Sequence, residues 1–301
     1  MSRKNENKKG ANDAGSIRKI TTTHNGKEYT YWQGRYTEGY DACTGKQIQR
    51  SITGKTQKEV AQKLRQITAE IDAKTYVAPC KLSVTEWMAV WAQDYLVGIK
   101  ASTAYLYKRT IELYIDPHLG HIRLDALNAH TVQHFYNELA KPLKPDAAPL
   151  SAKTIKNIHG VLHKALKQAV LIGYLRTNPS ETCILPRIIR KEMHPLEEDQ
   201  VAVFLRKVQG HPHEYLYKIA LFTGLREGEV LGLGWEHIDF QTGTLTVKRQ
   251  LRREQKKGGE YYFSPPKNNK SRCLTLAPSV IQLFRLQKLE QNSMRTEAGD
   301  A

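Results

Sequence analysis

The stretch with the most to offer chemically is TGLREGEVLGLGWEHID, residues 223–239. An apolar helical run, EYLYKIALF, stops just before Gly224, and Arg226 stands where the next helix should open, three residues ahead of Glu229. At such a junction a new helix exposes unpaired amides and the positive end of its dipole. An arginine there adds a planar, permanently charged fork, a combination that suits a phosphate. The same spacing also allows a purely local reading, in which Arg226 only pairs with Glu229 one turn on.

Other residues could do chemistry, and most have a simpler use. His159 and His163 lie four apart on one helical segment, the spacing of a two-histidine metal face, but the Glu and third ligand of a metallohydrolase are missing. They are expected to be solvated or nucleic-acid-facing, and no metal and no cofactor is assigned. Lys153, Lys156, Lys164 and Lys167 on the same segment place cationic groups along it, either as a wet face or as phosphate contacts. Cys43, Cys80, Cys183 and Cys273 are far apart, with neither a C-x-x-C pair nor a dense disulfide spacing, which fits a reducing compartment.

Forty-six Lys and Arg against 30 Asp and Glu give a net charge of +16, and the pI is about 9.6. That balance favours a polyanionic partner, nucleic acid first, over a small acidic metabolite. The N-terminus MSRKNENKKGANDAG lacks the apolar core of a signal peptide, and no run approaches membrane-spanning length, so a cytoplasmic, nucleoid-associated chain is expected.

Four textures position these residues. After a flexible basic tail, residues 1–14, SIRKITTT, KEYTYWQGRYTEGY and KQIQRSI alternate polar with β-branched or aromatic residues between turn signals, predicting a three-stranded meander. KTQKEVAQKLRQITAEIDA sets Val60, Leu64, Ile67 and Ile71 at helical spacing to cover one sheet face. The other face stays open, with Arg18, Lys27, Tyr31 and Arg35 as a basic, aromatic surface able to enter a major groove. This first domain is set at 15–76. Residues 82–176 carry four helical patterns with Ser83, Ser102, Asn128 and Ser151 as caps or first-turn residues, interrupted by the stiff loop KPLKPDAAPL. Residues 177–195 are Pro-punctuated and without period, predicting an extended, flexible linker. From 196 to 301, helices are followed by strand-like GTLTVKRQLRR and KSRCLTLA around a Gly- and Pro-rich turn region. The whole reads as multidomain α+β.

At this point the chain resembles the tyrosine recombinase, or phage integrase, family of the conjugative-transposon and phage type. TGLREGEVLGLGWEHIDF is similar to the family's first catalytic motif, PPKNNKSRCLTL to the hairpin that carries its catalytic Lys, and TIKNIHGVLHKALKQAVLIGYLRTNP and YIDPHLGHIRLDALNAHTVQHFYNEL to its helical core-site domain. The N-terminal meander resembles an AP2-like arm-binding domain. The resemblance implies an AP2-like domain, a SAM-like helical core-binding domain and a partial mixed α/β catalytic domain. It implies double-stranded DNA, core and arm sites, as partner, with homo-oligomers on DNA, and the chemistry of a site-specific recombinase from a mobile element. In that chemistry a tyrosine hydroxyl attacks a phosphodiester and leaves a 3′-phosphotyrosyl link. Arg226 would hydrogen-bond the nonbridging oxygens, Lys267 would protonate the departing 5′ oxygen, and Glu229 would support Arg226. Lys270 is the nearest rival to Lys267.

The family also needs H-x-x-R, a further His or Trp, and the nucleophile after the Lys, yet no histidine follows His237 and no tyrosine follows Tyr262. Tyr261 and Tyr262 are expected to pack rather than attack. The sequence is accordingly read as truncated within the catalytic domain, able to bind DNA and unable to cleave it. The alternative is a non-catalytic DNA-binding protein or integrase fragment that occupies recombination sites. A transcription regulator built on the basic helices would leave the Arg226 and Lys267 segments unexplained.

Overall fold

The computed structural model describes residues 16–24, 27–40, 44–73, 76–142, 148–189, 192–254 and 258–299. The expected basic tail, Cys43 and residues 143–147 of the Pro-rich loop lie outside them. The chain forms two compact units, residues 1–98 with 107–188, and residues 99–106 with 189–301.

The first unit opens with antiparallel strands β1 (Ser16–His24), β2 (Lys27–Tyr40) and β3 (Gln47–Gly54) in the order β1-β2-β3. Helix α1 (Gln57–Asp72) starts where the Thr56 side chain accepts from the Glu59 N–H, and it lays Val60 and Leu64 on the sheet against Tyr36, with Ile17, Trp32, Ile52, Ile67 and Ile71 around them. Because side chains alternate along a strand, Trp32 and Tyr36 toward α1 put Tyr31, Gln33 and Arg35 on the opposite face.

Helices α2 (Val84–Asp94), α5 (Ala129–Leu139) and α6 (Ala152–Leu171) are capped by Ser83, Asn128 and Ser151, whose side chains accept from amides of the first turn. Ser102 is a first-turn residue of α3 (Ala101–Thr110). The helical path then passes through a π turn, Ile111–Ile115, into α4 (Asp116–Leu119). Pro117 has no N–H to give to the preceding turn, so a widened turn there loses less than a regular one would. The core is apolar: Trp87, Met88, Ile115, Leu124, Leu139, Ile158, Leu162 and Leu166 are buried, and the Trp87 indole N–H donates to the Ala165 carbonyl at 3.1 Å.

The second unit has helices α7 (Glu198–Lys207), α8 (Glu214–Thr223), the five-residue α9 (Glu227–Leu231) and α10 (Pro278–Ala298). Strands β4 (Ile238–Asp239), β5 (Thr244–Val247) and β8 (Arg272–Thr275) form one antiparallel sheet, and β6 (Gln250–Arg253) pairs with β7 (Tyr261–Ser264) as a second. GTLTVKRQLRR is therefore two strands in two sheets, not one. Its core gathers Ile219, Leu225, Ile238, Leu245, Val247, Leu276, Val280 and Phe284. Among the described residues no helix is long and apolar enough to cross a membrane.

The stretch expected to be a loose linker is held down over its first half. Asn178 and Ser180 are buried, and the Gln133 amide brackets Ile184, accepting from its N–H at 2.7 Å and donating to its carbonyl at 3.0 Å. Lack of periodicity had pointed to flexibility, but this backbone is fixed by side-chain hydrogen bonds, which leave no period in a sequence.

Candidate functional site

Gly224 ends α8 in the left-handed conformation, φ 63°, and Leu225 drops into the core, so Arg226 is delivered as the residue before α9. Glu229, 1% exposed, turns back on it: one carboxylate oxygen accepts from the Arg226 backbone N–H at 2.9 Å and the other from its Nη1 at 3.0 Å. The local pairing is thus real, but it uses one nitrogen of the fork, and the Arg226 side chain stays 63% exposed. The dipole part of the expectation needs correcting. A five-residue helix sums few peptide dipoles, and the first amide is already occupied by Glu229, so the cationic character here is that of the guanidinium itself.

Glu229 has a second partner that the sequence reading overlooked. Arg272, at the start of β8, donates from Nη1 and Nη2 to both carboxylate oxygens at 2.9 and 2.7 Å. Arg272 first, with the Arg226 amide and fork behind it, holds the Glu229 carboxyl down to about 2 despite burial. One sealed anion therefore faces two cations, and the pocket carries net positive charge. SRCLTL shows a charged residue opening a strand beside a turn, but no local signal names its partner 43 positions earlier.

Lys267 opens the turn between β7 and β8, and both flanks of that turn are tied to the Arg226 region. On one side the Gln250 amide on β6 donates to the Pro265 carbonyl at 2.6 Å, and on the other Arg272 grips Glu229. Strand β6 itself lies hard against α9. A Cβ on Gly228 would come within 2.8 Å of the Leu251 carbonyl oxygen, and one on Gly232 within 2.7 Å of the Leu251 nitrogen, so both positions admit only glycine without displacing backbone. Within the turn the Asn269 N–H donates to the Pro266 carbonyl at 2.9 Å, with Asn269 at φ 55°, and the Lys100 ammonium donates to the Lys267 carbonyl at 2.8 Å. The Lys267 and Lys270 side chains are both exposed.

Tyr261 and Tyr262 pack on the surface of the hairpin rather than in the core. They lie on β7 at 64% and 37% exposure, with the Arg253 guanidinium over the Tyr261 ring and the Arg249 guanidinium over Phe263. The Tyr261 and Phe263 rings are covered by arginine forks.

In the first unit, Arg18 and Arg35 are exposed on the open sheet face with Tyr31, and the Arg18 fork holds the Gln33 side-chain oxygen at 2.9 and 3.1 Å. Lys27 pairs by its backbone with His24, and its side chain lies outside the described residues. On α6, Lys153, Lys156, Lys164 and Lys167 are exposed within about 80° of the helix circumference, a stripe about 21 Å long. Lys164 donates to the Tyr107 hydroxyl and lies over its ring, which stacks on Trp91.

The two histidines of α6 face inward, contrary to the expectation of solvated or nucleic-acid-facing rings. His159 Nδ1 is 3.0 Å from the Tyr136 hydroxyl, and His163 Nδ1 is 3.0 Å from Ser180 Oγ and 3.2 Å from the Asn178 amide nitrogen. Burial, then the neighbouring His163 and Lys156, pushes His159 below the usual imidazole range. His163 thus braces residues 178–180, and His159 braces Tyr136 on α5.

Residues 83–140 match the sequence profile of the phage integrase N-terminal SAM-like domain. Over 297 residues the chain is 27% identical to a tyrosine recombinase XerC-like protein of Caldanaerobacter subterraneus subsp. tengcongensis, an alignment covering 94% of this chain and 74% of that one. It is 26% identical over 233 residues to an integrase of Saccharopolyspora erythraea, covering 76% of this chain and 52% of that one. Among solved structures it is similar to the Tn1549 transposon integrase in complex with transposon right end DNA, with a TM-score of 0.60 and 25% identity, covering 68% of this chain and 64% of that one. The chain thus spans between about half and three quarters of the length of these relatives.

Proposed function

We propose, from the premise that this chain belongs to the tyrosine recombinase family of the conjugative-transposon and phage integrase type, that it binds double-stranded DNA and grips a scissile phosphate for strand cleavage and rejoining. The single observation that carries this reading is the Arg226–Glu229–Arg272 arrangement: a sealed carboxylate aims an exposed guanidinium, and the turn that bears Lys267 is anchored to the same carboxylate.

Transesterification at phosphorus needs extra negative charge stabilised on the nonbridging oxygens and a proton delivered to the leaving 5′ oxygen. Arg226 meets the first need with the guanidinium nitrogens that Glu229 leaves unused. Lys267 meets the second from a turn whose backbone is fixed at its own carbonyl and at Pro265 while its ammonium stays exposed. The Lys267 backbone is itself held by Lys100, which favours Lys267 over Lys270. Each exchange conserves a phosphodiester, so no cofactor is required.

The α6 stripe and the open sheet face, with Lys153, Lys156, Arg18, Lys27, Tyr31 and Arg35, supply further contacts to the DNA backbone and grooves at core and arm sites. Assembly on DNA as a homo-oligomer and residence with the nucleoid in the cytoplasm belong to the same reading. The attacking tyrosine is assigned to no residue of this sequence, because the last two, Tyr261 and Tyr262, lie under or beside arginine forks on β7. A second reading with the same contacts is a DNA-binding protein that occupies recombination sites without cutting them.

The test is binding of the full chain to duplex DNA across salt, with a nicked suicide duplex to trap covalent adducts. Salt-sensitive binding without an adduct is expected; an adduct mapped to Tyr261 or Tyr262 would overturn the assignment, and salt-independent binding would overturn the phosphate contacts. An in-frame continuation beyond the Ala301 codon carrying H-x-x-R and a tyrosine decides for the recombinase over the second reading.

A further inference from the structure

We propose that Arg272 is a positioning residue for this site: by taking both oxygens of the buried Glu229 carboxylate, it leaves the Arg226 guanidinium free to face DNA phosphate. The inference rests on the phosphate-gripping reading given above and adds a residue that acts through another.

The geometry is a competition between two forks for one anion. A carboxylate 1% exposed has no water to share its charge, so it draws every donor within reach. Arg272 satisfies it in the strongest way available, two parallel N–H donors on two oxygens, at 2.9 and 2.7 Å. Arg226 then contributes a single nitrogen, Nη1 at 3.0 Å to Oε1, and among the described residues its Nε and Nη2 have no partner. The exposures follow this division: 63% for the Arg226 side chain against 37% for Arg272.

Without Arg272, the only cation left bonded to Glu229 among the described residues is Arg226. The side chain is long enough to turn its second nitrogen onto Oε2, where the Arg226 backbone N–H already points, and a fork so engaged has its planar face of donors turned away from solvent. Arg272 would then matter to phosphate binding without touching phosphate. Because it begins β8, it also fixes the C-terminal flank of the turn that holds Lys267, so a single contact sets both cationic groups.

A purely structural role for Arg272 would lower stability and affinity together, whatever residue stands at 226. The positioning role makes a narrower claim about Arg226, and a mutant cycle in the full chain isolates it. The readout is the factor by which Arg226→Ala weakens binding to a 40-base-pair duplex of mixed sequence at fixed salt. In the wild-type background a factor of about tenfold is expected for losing a charge-assisted contact. In the Arg272→Met background it should fall to about twofold or less, since Arg226 is already withdrawn. In the Arg272→Met, Glu229→Gln background it should return to near its wild-type size, because the carboxylate that captured Arg226 is gone.

Should Arg272→Met not fold, Arg272→Lys serves, a point charge without the fork, for which an intermediate factor is expected. An Arg226 factor unchanged by either Arg272 substitution overturns the positioning role while leaving the phosphate site standing. A factor near one in the wild-type background overturns the phosphate reading itself, and the positioning role falls with it.

Discussion

Helix α6 and the α8–α9 junction both present cations to solvent, and they do so by opposite means. On α6 the lysines stand on a helix fixed by apolar burial, and among the described residues no carboxylate pairs with Lys153, Lys156 or Lys167. At the junction, Arg226 is aimed by a buried carboxylate that is itself held by Arg272. A row of loosely held ammonium groups suits a diffuse polyanion, whose phosphates need only be neutralised. A guanidinium fixed at its backbone and at one nitrogen suits a single phosphate in a defined place.

The contrast can be broken most forcefully at the two supports. Trp87→Ala should cost the first unit about 3–5 kcal/mol by the cavity it leaves, and Glu229→Ala should cost the second a similar amount, about 3–5 kcal/mol, by leaving two arginines facing an empty pocket. Urea melts with hydrogen exchange resolved by segment would separate the two. A loss under about 1 kcal/mol for Glu229→Ala would mean that the carboxylate is no support at all.

Acid should act on the same carboxylate. Its folded pKa of about 2 lies below the ordinary 4.5, so its contribution is present above about pH 4.5 and is lost as pH falls toward 2. Glu229→Gln should flatten that limb of the second unit's pH–stability curve.

Binding should separate the regions more gently. Arg226→Ala should lower affinity about tenfold, whereas Lys153→Gln with Lys156→Gln should act chiefly on salt dependence, reducing the log–log slope by about 0.9 for each phosphate contact removed. Equal slope changes for the two variants would erase the distinction between a diffuse and a fixed contact.

The smallest effect belongs to the inward histidines. His159 sits below the usual 6.5 in the folded state, so the unfolded chain takes up its proton first, and the first unit should begin to lose stability as pH falls below about 6.5, well before the second. His159→Gln should remove that early onset in a thermal melt series.

The helices and the meander were legible because periodicity is written locally: Val60 and Leu64 at four-residue spacing, Trp32 and Tyr36 alternating against Tyr31 and Arg35. Arg226 with Glu229 was legible for the same reason, being one turn apart. Arg272 was not, because its partner lies 43 positions earlier and nothing in SRCLTL announces a buried carboxylate elsewhere. The inward turn of His159 and His163 was missed likewise, since their partners Tyr136, Asn178 and Ser180 come from other segments. How far Tyr261 would be exposed was not legible, because an aromatic strand looks the same in sequence whether or not a second layer covers it.

A sealed carboxylate shared by two arginines also constrains how this chain can diverge. Losing Arg272 first strands Glu229 with one counter-charge, and losing Glu229 first leaves two like charges side by side, so either single step is worse than both together. Positions 229 and 272 should therefore change as a pair among descendants, and a lineage that keeps one ought to keep the other.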